Sequence, residues 1–402
     1  MTEPGRGAGA TPDDGHPVSP LDARWAWLAN QPAPPAPAGT VSAVANRMLL
    51  YARPAQVPDV LPLLDTRRGG LILAGARASE RMRLLKETDF DGVVLVDPAA
   101  HETYAATTDV PFLLPTDQLA RPSLETVLDW QLRAGATAAL TPTGYVRAGD
   151  TDTLKAAART VKKLNRTDVI FVAPLDISLV DTKYITQTVA ILADTGCPVG
   201  LALGKQFDPL TQSKTIIPNL RNLVLQVPTL AMRTDFNAFD LVAHGAFAGG
   251  IGSGGKFRHA IEPPHRGFSN DPTDHSPSVL FPELLCWWRG STIAKLYGVR
   301  PAPRCDCVVC GGRRINRFLR RRDQTEAIRH ALAVWTPLAR DMFDAPTMRD
   351  RAQYFRKLCA GSVNEHAMIS ARLQLVEPLE PQSPLTQWAT LPAWPVGEPA
   401  TT

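Results

Sequence analysis

The residues best equipped for chemistry lie in one short run, Cys305-Asp306-Cys307-Val308-Val309-Cys310, and in His330 downstream. Three thiols spaced C-x-C-x2-C stand too close together, in too polar a loop, to be core residues. Three soft sulfur donors and one imidazole make up the tetrahedral shell that Zn2+ prefers. With all four positions held by protein, the metal is expected to be structural. The plainer alternative is a loop of reduced thiols beside a surface histidine, which would leave three reactive groups unprotected. Cys197, Cys286 and Cys359 are scattered singly, so the six cysteines read as a metal pattern and not as a disulfide framework.

Arginines crowd the same region: Arg300, Arg304, Arg313, Arg314, Arg317, Arg320, Arg321 and Arg322. A net charge of +4 does not by itself point to nucleic acid. The local density beside a zinc knuckle does, because a phosphate backbone needs clustered cations. Arg313, Arg314, Arg317, Arg320, Arg321 and Arg322 are the expected contacts to RNA or DNA. A solvated, solubilising face is the alternative.

Such a site needs a scaffold. Short apolar runs alternate with amphipathic segments across 41–260: 46–52, 70–76, 92–98, 137–143, 168–176, 198–204, 223–228 and 246–252. Eight strand–helix units predict a (β/α)8 TIM-type barrel, with near-continuous apolar strands buried on both faces. A doubly wound open sheet is the alternative. Residues 261–375 read as a helical zinc-binding subdomain packed on the barrel, including a helix over 278–298. Residues 1–40 read as a disordered Pro/Gly-rich arm from which Trp25 and Trp27 dock on the body. Residues 376–402 read as a Pro-rich tail anchored by Trp388 and Trp394. No apolar run approaches the length of a membrane span and no signal core opens the chain, so the expected location is cytoplasmic.

Catalytic groups of a barrel belong at the carboxyl ends of its strands. Those positions offer Arg77, Asp97, Thr141, Thr143, Asp176, Lys205, Gln206, Asp208, Gln226, Arg233 and Asp235. Asp97 and Asp176 each terminate a strongly apolar strand, where a carboxylate can be tuned as acid, base or nucleophile. Capping of the next helix is an equal reading for Asp176 and a close one for Asp97, which Pro98 follows. Asp235 reads as a helix cap and His244 as a packed core histidine. The loop GGIGSGGKFRH, with Gly249, Gly250, Gly252, Gly254 and Gly255 beside Lys256, Arg258 and His259, reads as a phosphate grip or as a flexible turn. It is not a P-loop, since no G-x4-G-K-[ST] follows a strand here.

A barrel followed by C-x-C-x2-C and a later histidine resembles the tRNA-guanine transglycosylase family, including its DNA-acting 7-deazaguanine branch. The resemblance spans roughly residues 70–342, and only the cysteine motif is specific. VLVDPAAH resembles the segment carrying the family's first catalytic aspartate, which places Asp97 in that role, with Asp176 as candidate partner. LALGKQ resembles the strand-end segment that contacts the base, placing Gly204 there beside Lys205 and Gln206. The resemblance implies a structural Zn2+ on Cys305, Cys307, Cys310 and His330, and a purine or 7-deazaguanine base in the barrel mouth, exchanged into nucleic acid. It is compatible with a homodimer or a heteromeric partner. The chain departs from the pattern in three places. The cysteine-to-histidine gap is shorter. Pro98-Ala99-Ala100-His101 replaces the aromatic-glycine base-binding signature. Ala248 stands near the position of the nucleophilic aspartate on the eighth strand, which holds no carboxylate. Two other readings therefore stand beside base exchange. One is a catalytically silent nucleic-acid-binding or partner subunit. The other is a barrel enzyme for a small phosphorylated metabolite.

Overall fold

The computed structural model describes residues 19–75, 77–88, 90–116, 122–265 and 273–395. Helix α1 (Pro20–Ala29) leads into β1 (Arg47–Ala52), α2 (Val57–Val60), β2 (Gly70–Ala74), α3 (Ala78–Glu87), β3 (Val93–Asp97), α4 (Leu124–Arg133), β4 (Ala139–Leu140) and α5 (Thr151–Leu164). The second half continues with β5 (Val169–Asp176), α6 (Ile185–Asp194), β6 (Val199–Gly204), α7 (Ile216–Gln226), β7 (Thr229–Thr234), α8 (Asn237–Ala243) and β8 (Ala248–Gly252). The eight strands form one parallel sheet in the order β3-β2-β1-β8-β7-β6-β5-β4. First and last strands pair, Arg47 opposite Ala248. The Thr137 N–H donates to the Val94 carbonyl at 2.9 Å and bridges β3 toward β4. The fold is a (β/α)8 barrel.

The strands are buried along their whole length apart from Arg47 at the start of β1. Alternate residues therefore serve two cores. Leu49, Tyr51, Ile72, Leu95, Ile170, Val172, Leu230 and Met232 fill the barrel. Their neighbours Met48, Leu50, Leu71, Leu73, Val94 and Leu201 face the helices.

After the barrel come a hairpin of β9 (Ser278–Phe281) and β10 (Cys286–Arg289), then α9 (Gly290–Tyr297) and a two-strand pair of β11 (Arg304–Cys305) and β12 (Arg313–Arg314). Three helices follow: α10 (Gln324–Phe343), α11 (Met348–Leu373) and α12 (Ser383–Thr390). Two expectations need correction here. The apolar run 223–228 is not a strand. It completes α7, whose buried Ile216, Ile217, Leu220, Leu223 and Val224 keep a helical stripe. The real seventh strand lies just beyond, where the charge of Arg233 breaks the apolar pattern. The stretch 278–298 is not one helix. Pro282 interrupts it, and Val279, Phe281, Trp287 and Trp288 suit a hairpin better.

Within the expected disordered arm residues 20–29 are helical, while residues 1–18 lie outside the described residues. Ser19 caps α1 by accepting from the Asp22 N–H at 3.1 Å. Trp25 is buried edge-on against Trp394, with ring centroids 5.0 Å apart, and its indole N–H donates to Asn222 Oδ1 at 3.2 Å. The Trp394 indole N–H donates back to the Trp25 carbonyl at 3.1 Å. Trp27 stays half exposed. His244 is buried between the Asp240 and Ala393 carbonyls, 2.7 and 2.9 Å from its ring nitrogens, as a packed core histidine. Trp388 on α12 packs against Phe355 on α11. Among the described residues no helix is long and apolar enough to cross a membrane.

Candidate metal centre and barrel-mouth site

Cys305 ends β11, the loop turns back through Gly311 and Gly312 in left-handed conformations, and β12 pairs Arg313 opposite Cys305. The Cys305, Cys307 and Cys310 Sγ atoms lie 3.7, 3.5 and 3.2 Å from His330 Nδ1, and all four donor atoms fall within 4.8 Å of one another. A tetrahedral ion at ordinary Zn–S and Zn–N bond lengths sets its sulfur–nitrogen edges at roughly 3.5 Å. The donor set fits, and the four residues can hold a metal ion. His330 is fully buried on α10, and its Nε2 lies 2.7 Å from the Leu280 carbonyl of β9. That bond orients the ring and leaves Nδ1 for the metal. The Cys310 N–H points at Cys307 Sγ, and Arg317 reaches Cys310 Sγ at 3.3 Å. Both would stabilise thiolate charge.

The arginines divide. Arg313 donates to the Cys310 carbonyl at 2.9 Å, and both Arg313 and Arg317 pair with Glu326. These two brace the cysteine loop. Arg314, Arg320, Arg321 and Arg322 are exposed. Arg322 lies 4.0 Å from Asp323.

At the barrel mouth Asp97 is fully engaged. Its Oδ2 accepts from the Tyr51 hydroxyl and from Arg233, 3.0 Å away, while Oδ1 accepts from the Ala99 N–H at 2.8 Å. Burial pushes the Asp97 carboxyl up, but the Arg233 guanidinium and these hydrogen bonds outweigh it and hold it below the ordinary range. Arg233 sits at the end of β7 with φ +51° and also binds Glu102 at 2.7 Å, which in turn pairs with Lys256 at 2.7 Å. The guanidinium lies 5.2 Å from the Tyr51 and Phe257 ring centroids. Two cations and two carboxylates close on one another over the barrel. His101 beside them is buried and held neutral, its pKa brought to about 4 by burial and by Arg233.

The other expected groups are also taken up by the fold. Asp176 accepts from the Ser178 N–H at 2.9 Å, which is its capping role, and from the Tyr145 hydroxyl at 3.1 Å. It shares no partner with Asp97. A side chain at Gly204 would meet the Tyr145 ring, so this glycine makes room for a tyrosine. A side chain at Gly252 would meet the Phe257 backbone, while Gly254 and Gly255 are open. Lys256 is paired with Glu102, and Arg258 lies over the Trp287 ring, 4.1 Å from its centroid. The glycine loop therefore commits its cations internally. Lys205 donates its backbone N–H to Ala260, and the Gln206 backbone bonds His259.

A cavity of about 220 Å³ opens beside that loop, at the carboxyl ends of β6 and β7. Asp208, Asp235, Asn237, Arg258, His259 and Trp287 line it, and Trp388 of α12 closes one side. Each aspartate spends one oxygen on a turn: Asp208 Oδ1 accepts from the Leu210 N–H at 2.9 Å, and Asp235 Oδ1 from the Asn237 N–H at 3.1 Å. Burial pushes the Asp208 carboxyl up, the Asp235 charge adds to it, and the pKa reaches about 7. Asn237 is only 4 % exposed and its Oδ1 has no partner among the described residues. His259 Nε2, Arg258 Nε and Trp287 Nε1 are likewise buried without partners. The sequence offered Asp208 and Asp235 as strand-end positions, but nothing in it showed that they meet. Trp287 and Asn237 carried no signal.

Asp208 has a measurable signature. Its folded-state pKa lies above its unfolded value, so the folded protein holds this proton more tightly. Stability from Asp208 is then full below about pH 4 and lost as the pH rises toward 7. Asp208→Asn keeps the cap and removes the charge. It is expected to be more stable than the wild type by about 2 kcal/mol at pH 8, allowing for partial solvent screening, and no more stable at pH 4. Urea titrations at the two pH values decide this, and equal stability at both would remove the raised Asp208 pKa.

No family model matches the chain, and no curated protein matches it. Among solved structures it is similar to the carboxyl transferase domain of Rhizobium etli pyruvate carboxylase. With 3-bromopyruvate bound, that structure matches at 12% identity and a TM-score of 0.32, over 92% of this chain and 60% of that one. With pyruvate and biocytin, the values are 12%, 0.31, 88% and 71%. The chain thus spans about three fifths of the first of these relatives.

Proposed function

We propose that this protein is a transglycosylase-like barrel that binds RNA or DNA and takes a guanine- or 7-deazaguanine-like base into the cavity at the ends of β6 and β7. The observation that carries the reading is the cavity's unsatisfied lining. Asn237, His259, Asp235, Trp287 and Arg258 line it, and among the described residues Asn237 Oδ1 and His259 Nε2 lack a donor while Trp287 Nε1 and Arg258 Nε lack an acceptor. A flat heterocycle with a donor-rich edge and a second, acceptor edge meets all of them, and the Trp287 and Trp388 rings suit a planar ligand. The exposed Arg314, Arg320, Arg321 and Arg322 support a phosphate-backbone contact, and Zn2+ on the Cys3His set is the ion these soft donors favour. The zinc holds the loop that presents those arginines.

The closed Asp97–Arg233 pair favours a second reading, in which the protein binds nucleic acid without exchanging bases. Two assays test the proposal together. RNA and DNA binding across a salt series is expected to lose about two units of log–log slope when Arg320, Arg321 and Arg322 are all replaced by alanine. Labelled guanine is expected to bind the wild type and to bind Asp235→Asn at least tenfold more weakly. Polynucleotide binding that ignores salt, or guanine binding unchanged in Asp235→Asn, would sink the reading. Binding without incorporation of label into RNA or DNA would support the silent form.

A further inference from the structure

Nothing on β8 can attack a sugar, because its residues are Ala248, Gly249, Gly250, Ile251 and Gly252. Asp97 is closed off by Arg233 and Tyr51. The cavity nevertheless holds two carboxylates from adjacent strand ends, each fixed by a backbone N–H and each with a second oxygen not used in that turn. Asn237 lines the same wall at 4 % exposure, and its buried Oδ1 has no partner among the described residues. We infer that Asp208 and Asp235 are the acid and the base of an N-glycoside hydrolysis in which water displaces the base from its sugar. This rests on the reading of the cavity as a base pocket.

The step balances without any further reactant. Water attacks the anomeric carbon and Asp235 takes its proton. The carbon–nitrogen bond breaks and its electron pair goes to the leaving nitrogen. Asp208 protonates that nitrogen. The products are the free base and a sugar carrying the water oxygen, with Asp208 ionised and Asp235 protonated. Proton exchange with solvent restores the pair. A protonated carboxyl beside an ionised one is the arrangement that single-displacement glycoside hydrolysis uses. Asp208, with a pKa of about 7, holds its proton at neutral pH because of burial and the Asp235 charge. The absence of a carboxylate on β8, an obstacle to exchange through a covalent intermediate there, is no obstacle to this route.

The test uses the full chain with zinc, guanosine, deoxyguanosine and guanine-containing RNA and DNA oligonucleotides in 18O-labelled water. The expected result is release of free guanine with one 18O in the sugar and a rate that falls above about pH 7. Asp208→Asn and Asp235→Asn should each lose about 100-fold or more in that rate. Asp208→Asn should still bind guanine within a few-fold, which separates catalysis from folding. Binding of nucleoside or oligonucleotide without base release overturns the inference and leaves the base pocket standing. Release without 18O, or release that survives both substitutions, also overturns it. Failure to bind guanine or any of these substrates overturns the base-pocket reading and this assignment with it.

Discussion

If the Cys3His set holds a metal ion, Cys307→Ser is expected to abolish its binding and, with it, the shape of the barrel-mouth cavity. The link is the β9–β10 hairpin. Leu280 on β9 accepts the hydrogen bond from His330 and pairs in register with Trp287 on β10, which lines the cavity. Removing the ion frees three clustered thiols and a buried imidazole, and His330 no longer has a reason to stay at the Leu280 carbonyl. Structural zinc in small domains contributes roughly 10–16 kcal/mol of apparent binding free energy. This subdomain also has its own apolar cluster, with Phe281, Ile293, Phe318 and Ala327 among its members, so a loss of roughly 3–5 kcal/mol is expected. Metal analysis, thermal unfolding and hydrogen exchange across 278–289 would measure it. Chelator treatment of the wild type should reproduce the same change. Unchanged metal content and melting in the variant would remove the Cys3His assignment.

Breaking the Asp97–Arg233 pair is expected to cost about as much. Arg233 is 2 % exposed, and Asp97→Ala leaves its charge with Glu102 alone. Truncating one member of a buried pair costs roughly 3–5 kcal/mol, chiefly by stranding the other. Asp97→Ala and Arg233→Met together should cost less than their sum, by at least about 1 kcal/mol, because the second change removes the stranded charge. The folded Asp97 pKa lies below its unfolded value, so this stability is present above about pH 4 and fades as the pH falls through the folded value. Denaturant curves for the four proteins close the cycle. If Asp97 serves as the resemblance implies, Asp97→Asn should abolish base exchange with little loss of stability. The opposite balance identifies it as a structural partner of Arg233.

The fold was legible because most of the strands are near-continuous apolar runs, and the candidate metal centre because three thiols fall within six residues. β7 was missed because Arg233 near its end breaks the apolar run, while the apolar end of α7 imitated a strand. The hairpin was missed because its two short runs add up to a helix-length segment. At the mouth, strand ends named the candidates but not their partners. Asp97 reads as a catalytic aspartate until Arg233, 136 residues away, is seen beside it. Asp235 reads as a cap and holds the turn at Asn237, while Asp208, read only as a strand-end position, holds the turn at Leu210. Their proximity depends on the order of β6 and β7 around the barrel and on a loop folding back from β8. The tryptophan wall depends on the hairpin and the C-terminal helix, neither of which carries a local motif for it.

The placement of Trp287 and Trp388 gives the molecule an optical property. Of eight tryptophans, these two line the cavity, while Trp25 and Trp394 are sealed together where the two ends of the described chain meet. Indole emission responds to a stacked heterocycle or a nearby charge, so the wild-type chain can signal occupancy without a label. The buried Trp25–Trp394 pair supplies a constant background that changes only when the ends come apart. Emission from one unmodified sample thereby separates filling of the cavity from unfolding of the barrel.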